Sequence, residues 1–257
     1  MSTNRRPLEE GIVHDGGKVA LVTGGSRGIG RAIAERLGSQ AYSVIVNYHS
    51  HDAAAKEVVG TIQAAGGRAV AVQADVADPA QLRGLFDAAE EHYGGLDILV
   101  HNVGVARFSS IGEASDEDYE LMFATNTTST FVALREAANR LHDGGRIVVI
   151  SSGVTVTTAL YSGVYAASKA AGEQLVRSLA KEIGSRGITV NAVRPGLTRT
   201  EALTAGRDNG FLDQMVAMTP LGRLGEPADI ADVVAFLVSE EGGWVTGQAV
   251  NAGGGLF

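Results

Sequence analysis

The sequence contains no cysteine, and this absence removes a whole set of chemistries. Disulfide frameworks, thiolate nucleophiles and cysteine-ligated zinc or iron–sulfur centres are all excluded. Proline is scarce, at 5 of 257 residues, and the 21 Lys and Arg residues are outnumbered by 29 Asp and Glu. The resulting net charge of −8 opposes binding to nucleic acid, whose phosphates attract a basic surface. We therefore expect oxygen and nitrogen chemistry and no nucleic-acid partner.

Long uninterrupted apolar runs are also missing. The longest uncharged stretch, residues 147–168, is broken by serines, threonines and glycines, so it is not typical of a membrane-spanning helix. Residues 1–17 form a polar tail without the apolar segment of a signal peptide. We expect a cytoplasmic protein with no membrane partner.

Glycine is abundant, at 34 residues, and short apolar runs alternate with helical patterns along the chain. The predicted strands are KVALVT, SVIVNY, RAVAVQ, LDILVH, RIVVISS and GITVNAV, with TGQAVNAGG near the end. Their unbroken apolar character indicates burial on both faces, as in a parallel sheet between two layers of helices. We predict one doubly wound α/β domain over residues 18–257, with a mostly parallel seven-stranded sheet. Loop signals near residues 200–225 predict an inserted substrate loop.

The first predicted strand leads into TGGSRGIG, residues 23–30, and then directly into a helix. Glycines at such a junction let the backbone approach a pyrophosphate closely, and the N-terminus of the helix offers unpaired N–H groups. This strand, turn and helix predict a dinucleotide site.

A second pattern carries acid–base chemistry. Tyr165 and Lys169 stand four residues apart in YAASK, so on a helix their side chains share one face. An ammonium group beside a phenol favours the phenolate, which predicts a lowered pKa for Tyr165. Ser152 ends the fifth predicted strand, where parallel sheets gather ligands. Its neighbour Ser151 points to the opposite face and is assigned a structural role.

Taken in order, TGxxxGxG, Asn126 in ATNTTSTF, Ser152, Tyr165 and Lys169 resemble the short-chain dehydrogenase/reductase family. The likeness covers nearly the whole chain from about residue 18 and implies a Rossmann-type fold with metal-free hydride transfer between a nicotinamide and a carbonyl or alcohol. By this resemblance Tyr165 is the general acid or base, and Ser152 hydrogen-bonds the substrate oxygen. Lys169 holds the nicotinamide ribose and Asn126 anchors a water relay.

The resemblance also assigns cofactor contacts to the glycine turn, to the ends of later strands and to a PGxxxT segment. These residues are Gly24, Ser26, Arg27, Gly28, Ile29, Gly30, Tyr48, His49, Asp75, Val76, Asn102, Gly104, Tyr165, Lys169, Pro195, Gly196, Thr198 and Thr200.

The end of the second strand bears on the choice of cofactor. Where the family carries an acidic residue that binds the ribose of NAD, this chain has Tyr48. With no carboxylate there and with Arg27 in the glycine turn, NADP(H) is favoured. Asp52 nearby keeps NAD(H) open as an alternative.

The chain departs from the family at one place. The usual NNAG after the fourth strand reads His101-Asn102-Val103-Gly104 here. A histidine at a strand end is more often a hydrogen-bonded structural residue than a catalyst. His49 and His51 are two residues apart and would not share a helix face, and we expect no metal site.

Five residues are candidates for the substrate pocket, and ordinary core packing explains them equally well. They are Val154, Tyr161, Leu203, Phe211 and Met215. If they line a pocket, it is an apolar cavity that suits a ketone or a small cyclic or aryl substrate.

Within the family, the likeness is greatest to 3-oxoacyl-(acyl-carrier-protein) reductases and to the sugar or alcohol dehydrogenases that share their pattern. An acidic carrier protein needs a basic docking patch. The chain retains Arg186 but has His142-Asp143 where such reductases tend to carry arginine. We therefore expect an NADP(H)-preferring carbonyl reductase or alcohol dehydrogenase acting on a small molecule.

Two other functions remain as alternatives, a carrier-protein reductase and a nucleotide-sensing regulator without turnover. The family commonly assembles as tetramers, so a homo-oligomer, either tetramer or dimer, is also expected.

Overall fold

The computed structural model describes residues 17–257, and residues 1–16 of the predicted polar tail lie outside the described residues. Seven strands form one sheet in which every neighbouring pair is parallel. They are β1 (Val19–Val22), β2 (Ser43–Tyr48), β3 (Arg68–Gln73), β4 (Leu96–His101), β5 (Leu141–Ile150), β6 (Thr189–Pro195) and β7 (Ala249–Ala252). Their order in the sheet is β3-β2-β1-β4-β5-β6-β7. The predicted seven-stranded doubly wound sheet is confirmed, and it is parallel throughout.

Helices connect the strands. Those of the first half are α1 (Gly28–Gly38), α2 (Asp52–Ala64), α3 (Pro79–Tyr93), α4 (Asp116–Met122) and α5 (Ser129–Arg140). Those of the second half are α6 (Val154–Thr157), α7 (Gly163–Glu182), α8 (Glu201–Thr204), α9 (Asn209–Met218) and α10 (Pro227–Val238). The short helices α8 and α9 lie in the predicted insert near residues 200–225.

The helical segment between β4 and β5 is interrupted. A π-helical turn, Phe123–Thr128, separates α4 from α5. The hydroxyl of Thr130 donates to the carbonyl of Asn126, and the hydroxyl of Ser129 donates to the carbonyl of Thr125. Side-chain bonds to the carbonyl four residues earlier compete with the regular helix pattern, and such single π turns are frequent at functional sites.

The core lies on both faces of the sheet. In β1, Val19 and Leu21 pack with α3, α5 and α7, whereas Ala20 and Val22 pack with α1, α2 and α10. All four residues are at most 2% exposed. Full burial of an aliphatic side chain contributes about 1.5–3 kcal/mol, which explains why this strand is apolar at every position.

The strand order reverses between β1 and β4. From β1 the chain winds outward to β3 and then crosses back to β4, so the connections after β1 and β4 diverge. A crevice opens at such a switch point, beyond the carboxyl ends of the strands, and it is where open α/β sheets bind ligands. The glycine turn and the segments after β4, β5 and β6 all follow carboxyl ends at this edge.

Candidate active site

In the glycine turn after β1, the absence of side chains at the glycines lets backbone segments and a ligand come close together. A Cβ atom on Gly30 would lie 2.1 Å from the carbonyl oxygen of Gly24, and Gly24 has a φ of +61°. Arg27, which precedes α1, makes no side-chain hydrogen bond to the helix N-terminus. The first N–H groups of α1 are therefore available to donate to a ligand, and they lie at the positive end of the helix dipole. This cradle fits the pyrophosphate of a dinucleotide.

The end of β4 is fastened to this turn by Asn102. Its side-chain amide donates to the carbonyls of Thr23 and Gly24, at 3.1 and 3.3 Å, and its backbone N–H donates to the Thr23 hydroxyl at 2.9 Å. A Cβ atom on Gly24 would lie 2.9 Å from a methyl group of Val103. The valine that departs from the family pattern therefore packs over the glycine turn.

His101 is buried at the end of β4, with 1% of its surface exposed. Its Nδ1 lies 3.2 Å from the Thr23 hydroxyl and its Nε2 lies 2.9 Å from the Ser129 hydroxyl. Since Ser129 donates to the Thr125 carbonyl, its oxygen accepts from Nε2–H, and Nδ1 accepts from Thr23. Burial and the charge of Lys169 lower the pKa of His101 to about 3. The ring is neutral, and the hydrogen-bonded structural role expected for it agrees with this geometry.

Asn126 lies in the π-helical turn and is 1% exposed. Its side-chain oxygen accepts from the N–H of Val105 at 2.8 Å, and its amide nitrogen donates to the Val105 carbonyl at 2.8 Å and to the Ser168 hydroxyl at 2.9 Å. The turn is thereby bonded to the segment after β4 and to α7. This arrangement fixes the backbone of Asn126 beside α7.

Lys169 of α7 is also buried. Its ammonium nitrogen donates to the carbonyl of Ile150 at 3.1 Å and to that of Val103 at 3.4 Å, and burial lowers its pKa to about 8. A Cβ atom on Gly104 would lie 2.5 Å from this nitrogen and 3.3 Å from the Asn126 side-chain oxygen. The structure therefore brings these three predicted site residues together, and Gly104 supplies the space that the lysine needs.

Tyr165 stands one turn before Lys169 on α7, and its side chain lies near that of Ser152. Burial raises the pKa of Tyr165, while the nearby Ser152 side chain lowers it by less. The expectation that Lys169 holds this pKa below its ordinary value is wrong for this structure. The physical reason is that burial dominates and that the ammonium group is directed at backbone carbonyls.

Sequence reasoning missed a buried carboxylate behind the two serines. Glu173 of α7 is 3% exposed and accepts from Ser151 at 2.7 Å, from Thr155 at 2.8 Å and from Nε of Arg194 at 2.8 Å. Burial would raise the pKa of Glu173, but the bonds from Arg194, Ser151 and Thr155 together lower it. The structural role predicted for Ser151 agrees with this contact. Glu173 lies eight residues after Tyr165, on the face of α7 that turns toward the sheet.

At the end of β2, the Tyr48 hydroxyl donates to Asp52 at 2.8 Å, and Lys56 pairs with the same carboxylate at 2.7 Å. The Asp52 carboxylate is thus hydrogen-bonded to Tyr48 and ion-paired with Lys56 of the same helix. Two basic side chains nearby point toward solvent, Arg27 with 62% and His49 with 70% of the side chain exposed. This end of the crevice presents cationic and imidazole groups to a ligand.

The segments after β3 and β6 complete the crevice. Val76 packs into the core, whereas Asp75 is half-buried and accepts from the N–H of Ala77. After Pro195, Gly196 approaches Gly253 so closely that a Cβ atom would lie 2.6 Å from its Cα.

Further along the same segment, the Thr198 hydroxyl donates to the Gly196 carbonyl at 3.1 Å. The methyl group of Thr200 lies 3.4 Å from the place where a Cβ atom of Gly28 would stand, so the PGxxxT segment meets the glycine turn. Ser26 is buried in that turn and Ile29 is half-buried.

The candidate pocket residues fall into two groups. Leu203, Phe211 and Met215 are half-buried on α8 and α9, and Val154 is half-buried at the start of α6. Tyr161 is 62% exposed, and its carbonyl accepts from the N–H of Ser109 at 2.9 Å.

Sequence reasoning also missed Phe108, an aromatic neighbour of Tyr165. Its ring lies 5.9 Å from the ring of Tyr165, measured between centroids. An aromatic residue after β4, outside any apolar periodicity, is the signal that could have found it.

Across residues 17–257, no three His, Asp or Glu side chains come together in a way that could hold a metal ion. No helix in the same range has the length and apolar content needed to cross a bilayer.

Comparisons with known proteins agree with this geometry. Residues 24–257 match the family described as enoyl-(acyl carrier protein) reductase. An uncharacterized oxidoreductase of Methylorubrum extorquens is 47% identical over 242 residues, which are 93% of this chain and 98% of the relative. Versicolorin reductase of Emericella nidulans is 41% identical over 253 residues, or 94% and 96% of the two chains. The crystal structure of angucycline C-6 ketoreductase LanV with bound NADP has a TM-score of 0.88 and 40% identity, covering 93% of this chain and 95% of that one.

Proposed function

Because the chain belongs to the short-chain dehydrogenase/reductase family, we propose that it interconverts a ketone and a secondary alcohol with Tyr165 as general acid and base and with a preference for NADP(H). Membership of the family makes it an NAD(P)-dependent oxidoreductase acting on CH–OH and C=O groups. The observation that carries the proposal is the grouping of three side chains: Tyr165 stands one helical turn from Lys169, and Ser152 lies near enough to affect the pKa of Tyr165.

In the proposed reduction, Tyr165 donates its hydroxyl proton to the carbonyl oxygen of the substrate. Ser152 donates a hydrogen bond to the same oxygen and stabilises the charge that develops there. The bound nicotinamide supplies the hydride. Tyr165 keeps its proton at neutral pH because burial raises its pKa, so it is ready to act as an acid.

Lys169 and Asn126 complete the proposed proton path. With a pKa of about 8, Lys169 is mostly charged at neutral pH and can bind a ribose hydroxyl, as the family resemblance implies. The backbone carbonyl of Asn126 accepts from Thr130 but has a second lone pair that can hold a relay water. The π-helical turn keeps this carbonyl beside α7.

Three observations support NADP(H) over NAD(H). Tyr48 stands where a ribose-binding carboxylate would repel a 2′-phosphate, and the Asp52 carboxylate is already paired with Lys56. The exposed Arg27 guanidinium stands in the glycine turn and forms a long, solvent-exposed ion pair with Glu201 at 3.8 Å. LanV, of similar structure, was solved with NADP.

The carrier-protein alternative has less support. Arg186 donates to Asp143 at 2.7 Å and to the carbonyls of Ala138 and Leu141, so its guanidinium is satisfied within the protein. His142 pairs with Asp97. A docking patch for an acidic carrier needs cations that remain available to the partner.

We also propose that the chain forms a homo-oligomer, a dimer or a tetramer, through α5 and α7. A surface groove between these helices is lined by Phe131, Ala171 and Leu175, and 46% of Phe131 is exposed. Sedimentation of the purified protein measures its assembly state, and a monomer at micromolar concentration would contradict this arrangement.

The experiment that tests the catalytic proposal compares Tyr165→Phe with Tyr119→Phe, a control on the exposed face of α4. Loss of the acid should lower kcat for ketone reduction about 100-fold or more, while NADPH still binds. The control should match the unmodified protein. Turnover retained by Tyr165→Phe would refute the role of the tyrosine, and NADPH binding without turnover of any carbonyl in the unmodified protein would favour the sensor alternative.

The cofactor preference has its own test. Arg27→Ala should raise the dissociation constant for NADPH about tenfold or more and leave that for NADH nearly unchanged, because a charged hydrogen bond to the 2′-phosphate is lost. The control is Arg36→Ala. Arg36 lies at the end of α1 away from the glycine turn, and this change removes its ion pair with Asp232 of α10. Equal losses for NADPH and NADH would contradict the assignment of Arg27.

A further inference from the structure

An exposed apolar rim stands beside the catalytic tyrosine. It consists of Phe108, Ile111, Leu160 and Tyr161, which are 62%, 78%, 84% and 62% exposed. Contiguous apolar surface of this kind on a protein usually marks a place where something binds. Here it adjoins the start of α7, the helix that carries Tyr165.

Phe108 touches the catalytic residue directly. The rings of Phe108 and Tyr165 are 5.9 Å apart at an interplanar angle of 71°, which is an edge-to-face contact. Much of the Phe108 ring nevertheless remains accessible. It is therefore an aromatic surface next to the hydroxyl that would receive or donate the proton.

The two loops that form the rim are held together. The N–H of Ser109 donates to the carbonyl of Tyr161 at 2.9 Å, and a Cβ atom on Gly163 would lie 3.0 Å from the Ile111 side chain. Tyr161 has a φ of +64°, a conformation that is unfavourable for a tyrosine and that clusters at functional sites. A strained, exposed aromatic residue tied to the Phe108 loop indicates that the rim is a preformed surface.

A second ring lies close to the other end of the site. Phe257 packs against Gly153, the residue after Ser152, so tightly that a Cβ atom there would lie 2.1 Å from the ring. One aromatic side chain therefore adjoins Tyr165, and another packs against the residue that follows Ser152.

We propose that Phe108 is a specificity-determining residue and that the substrate carries an aromatic ring next to its carbonyl group. The ring packs on Phe108 while the carbonyl oxygen reaches Tyr165 and Ser152. This inference rests on the proposed reductase function and narrows it to aryl ketones. An alkyl chain can also cover the rim, but an aromatic ring gains the additional edge-to-face or stacked interaction.

The test measures kcat/KM with NADPH for acetophenone and for 2-octanone, two ketones with equal numbers of carbon atoms. The aryl-to-alkyl ratio is compared between the unmodified protein and each variant, so the different intrinsic reactivity of the ketones cancels. Phe108→Leu should lower this ratio about threefold to tenfold, the range of an aromatic pair interaction. Phe108→Tyr keeps the ring and should keep the ratio. Phe236→Leu, at an exposed position on α10, is the matched control.

A ratio that Phe108→Leu leaves within twofold of the unmodified value would overturn the inference, as would an equal fall in Phe236→Leu. If the unmodified protein reduces 2-octanone but Phe108→Leu leaves the aryl-to-alkyl ratio unchanged, the aryl specificity is overturned while the reductase function stands. Failure of the unmodified protein to oxidise NADPH with either ketone would overturn the reductase function and this inference with it.

Discussion

The buried neutral His101 predicts that the protein loses stability as the pH falls below neutral. Its folded pKa is about 3, whereas histidine in an unfolded chain titrates near ~6.5. Between these values the unfolded chain binds a proton that the folded protein does not. The free energy of unfolding therefore rises with pH by about 1.4 kcal/mol per unit over this window and is flat above it. Going from pH 7 to pH 5 should remove about 2 kcal/mol through this one residue.

The assay is urea unfolding of the unmodified protein and of His101→Asn at pH 7 and pH 5. Asparagine does not titrate but keeps a donor and an acceptor for the bonds to Thr23 and Ser129. The unmodified protein should lose about 2 kcal/mol more than the variant between the two pH values. Lys169, with a pKa of about 8, stays mostly charged in both the folded and the unfolded states over this range, so it adds little slope.

The same titration of His92→Asn, which changes an exposed histidine on α3, controls for the removal of any imidazole. It should follow the unmodified protein. Equal pH-dependent losses in the unmodified protein and in His101→Asn would refute the neutral buried ring and the hydrogen-bond directions assigned to it.

Three further predictions follow from contacts in the site. Gly104→Ala places a Cβ atom 2.5 Å from the Lys169 nitrogen, so kcat for ketone reduction should fall about tenfold or more. Gly112→Ala, at a position with open space around it, should leave kcat unchanged, and equal kcat values for the two variants would refute the steric argument. Glu173→Gln removes the buried carboxylate that pairs with the half-buried Arg194 guanidinium, and it should lower the free energy of unfolding in urea by about 3 kcal/mol; an unchanged midpoint would contradict this. The raised pKa of Tyr165 predicts that the reduction rate is constant from pH 6 to pH 7, where Lys169 with its pKa of about 8 also stays mostly charged, while alcohol oxidation rises with pH because it needs the phenolate; a reduction rate that declines across this range would argue against it.

Much of the fold was predictable because the sheet is buried on both faces. The middle of β4, where Ile98, Leu99 and Val100 have no exposed surface, is covered on both faces of the sheet and is therefore an apolar run in the sequence. The π-helical turn was not predictable from periodicity. It depends on two hydroxyl bonds to backbone carbonyls and on the contact of Asn126 with the segment after β4.

The residues of the site were predictable where one segment carries the pattern. The glycine turn and the pair Tyr165 and Lys169 are local in sequence, so their spacing is visible. The contact between Glu173 and Arg194 joins α7 to β6, and the contact of Phe108 with Tyr165 joins the loop after β4 to α7. Such pairs are set by the order of strands in the sheet, and a single sequence does not display them.

The wrong expectation about Tyr165 shows how burial can override the proximity of charge. An ammonium four residues away on one helix face favours the phenolate only if its attraction exceeds the cost of burying the charged phenolate. In this structure the Lys169 ammonium lies against Gly104 and donates to the carbonyls of Ile150 and Val103 rather than to the phenol. Tyr165, half-buried beside Phe108, then keeps its proton more firmly than a tyrosine in water. A site in this state is prepared to give a proton to a carbonyl oxygen, and the same burial that protects the proton opposes the phenolate that alcohol oxidation requires.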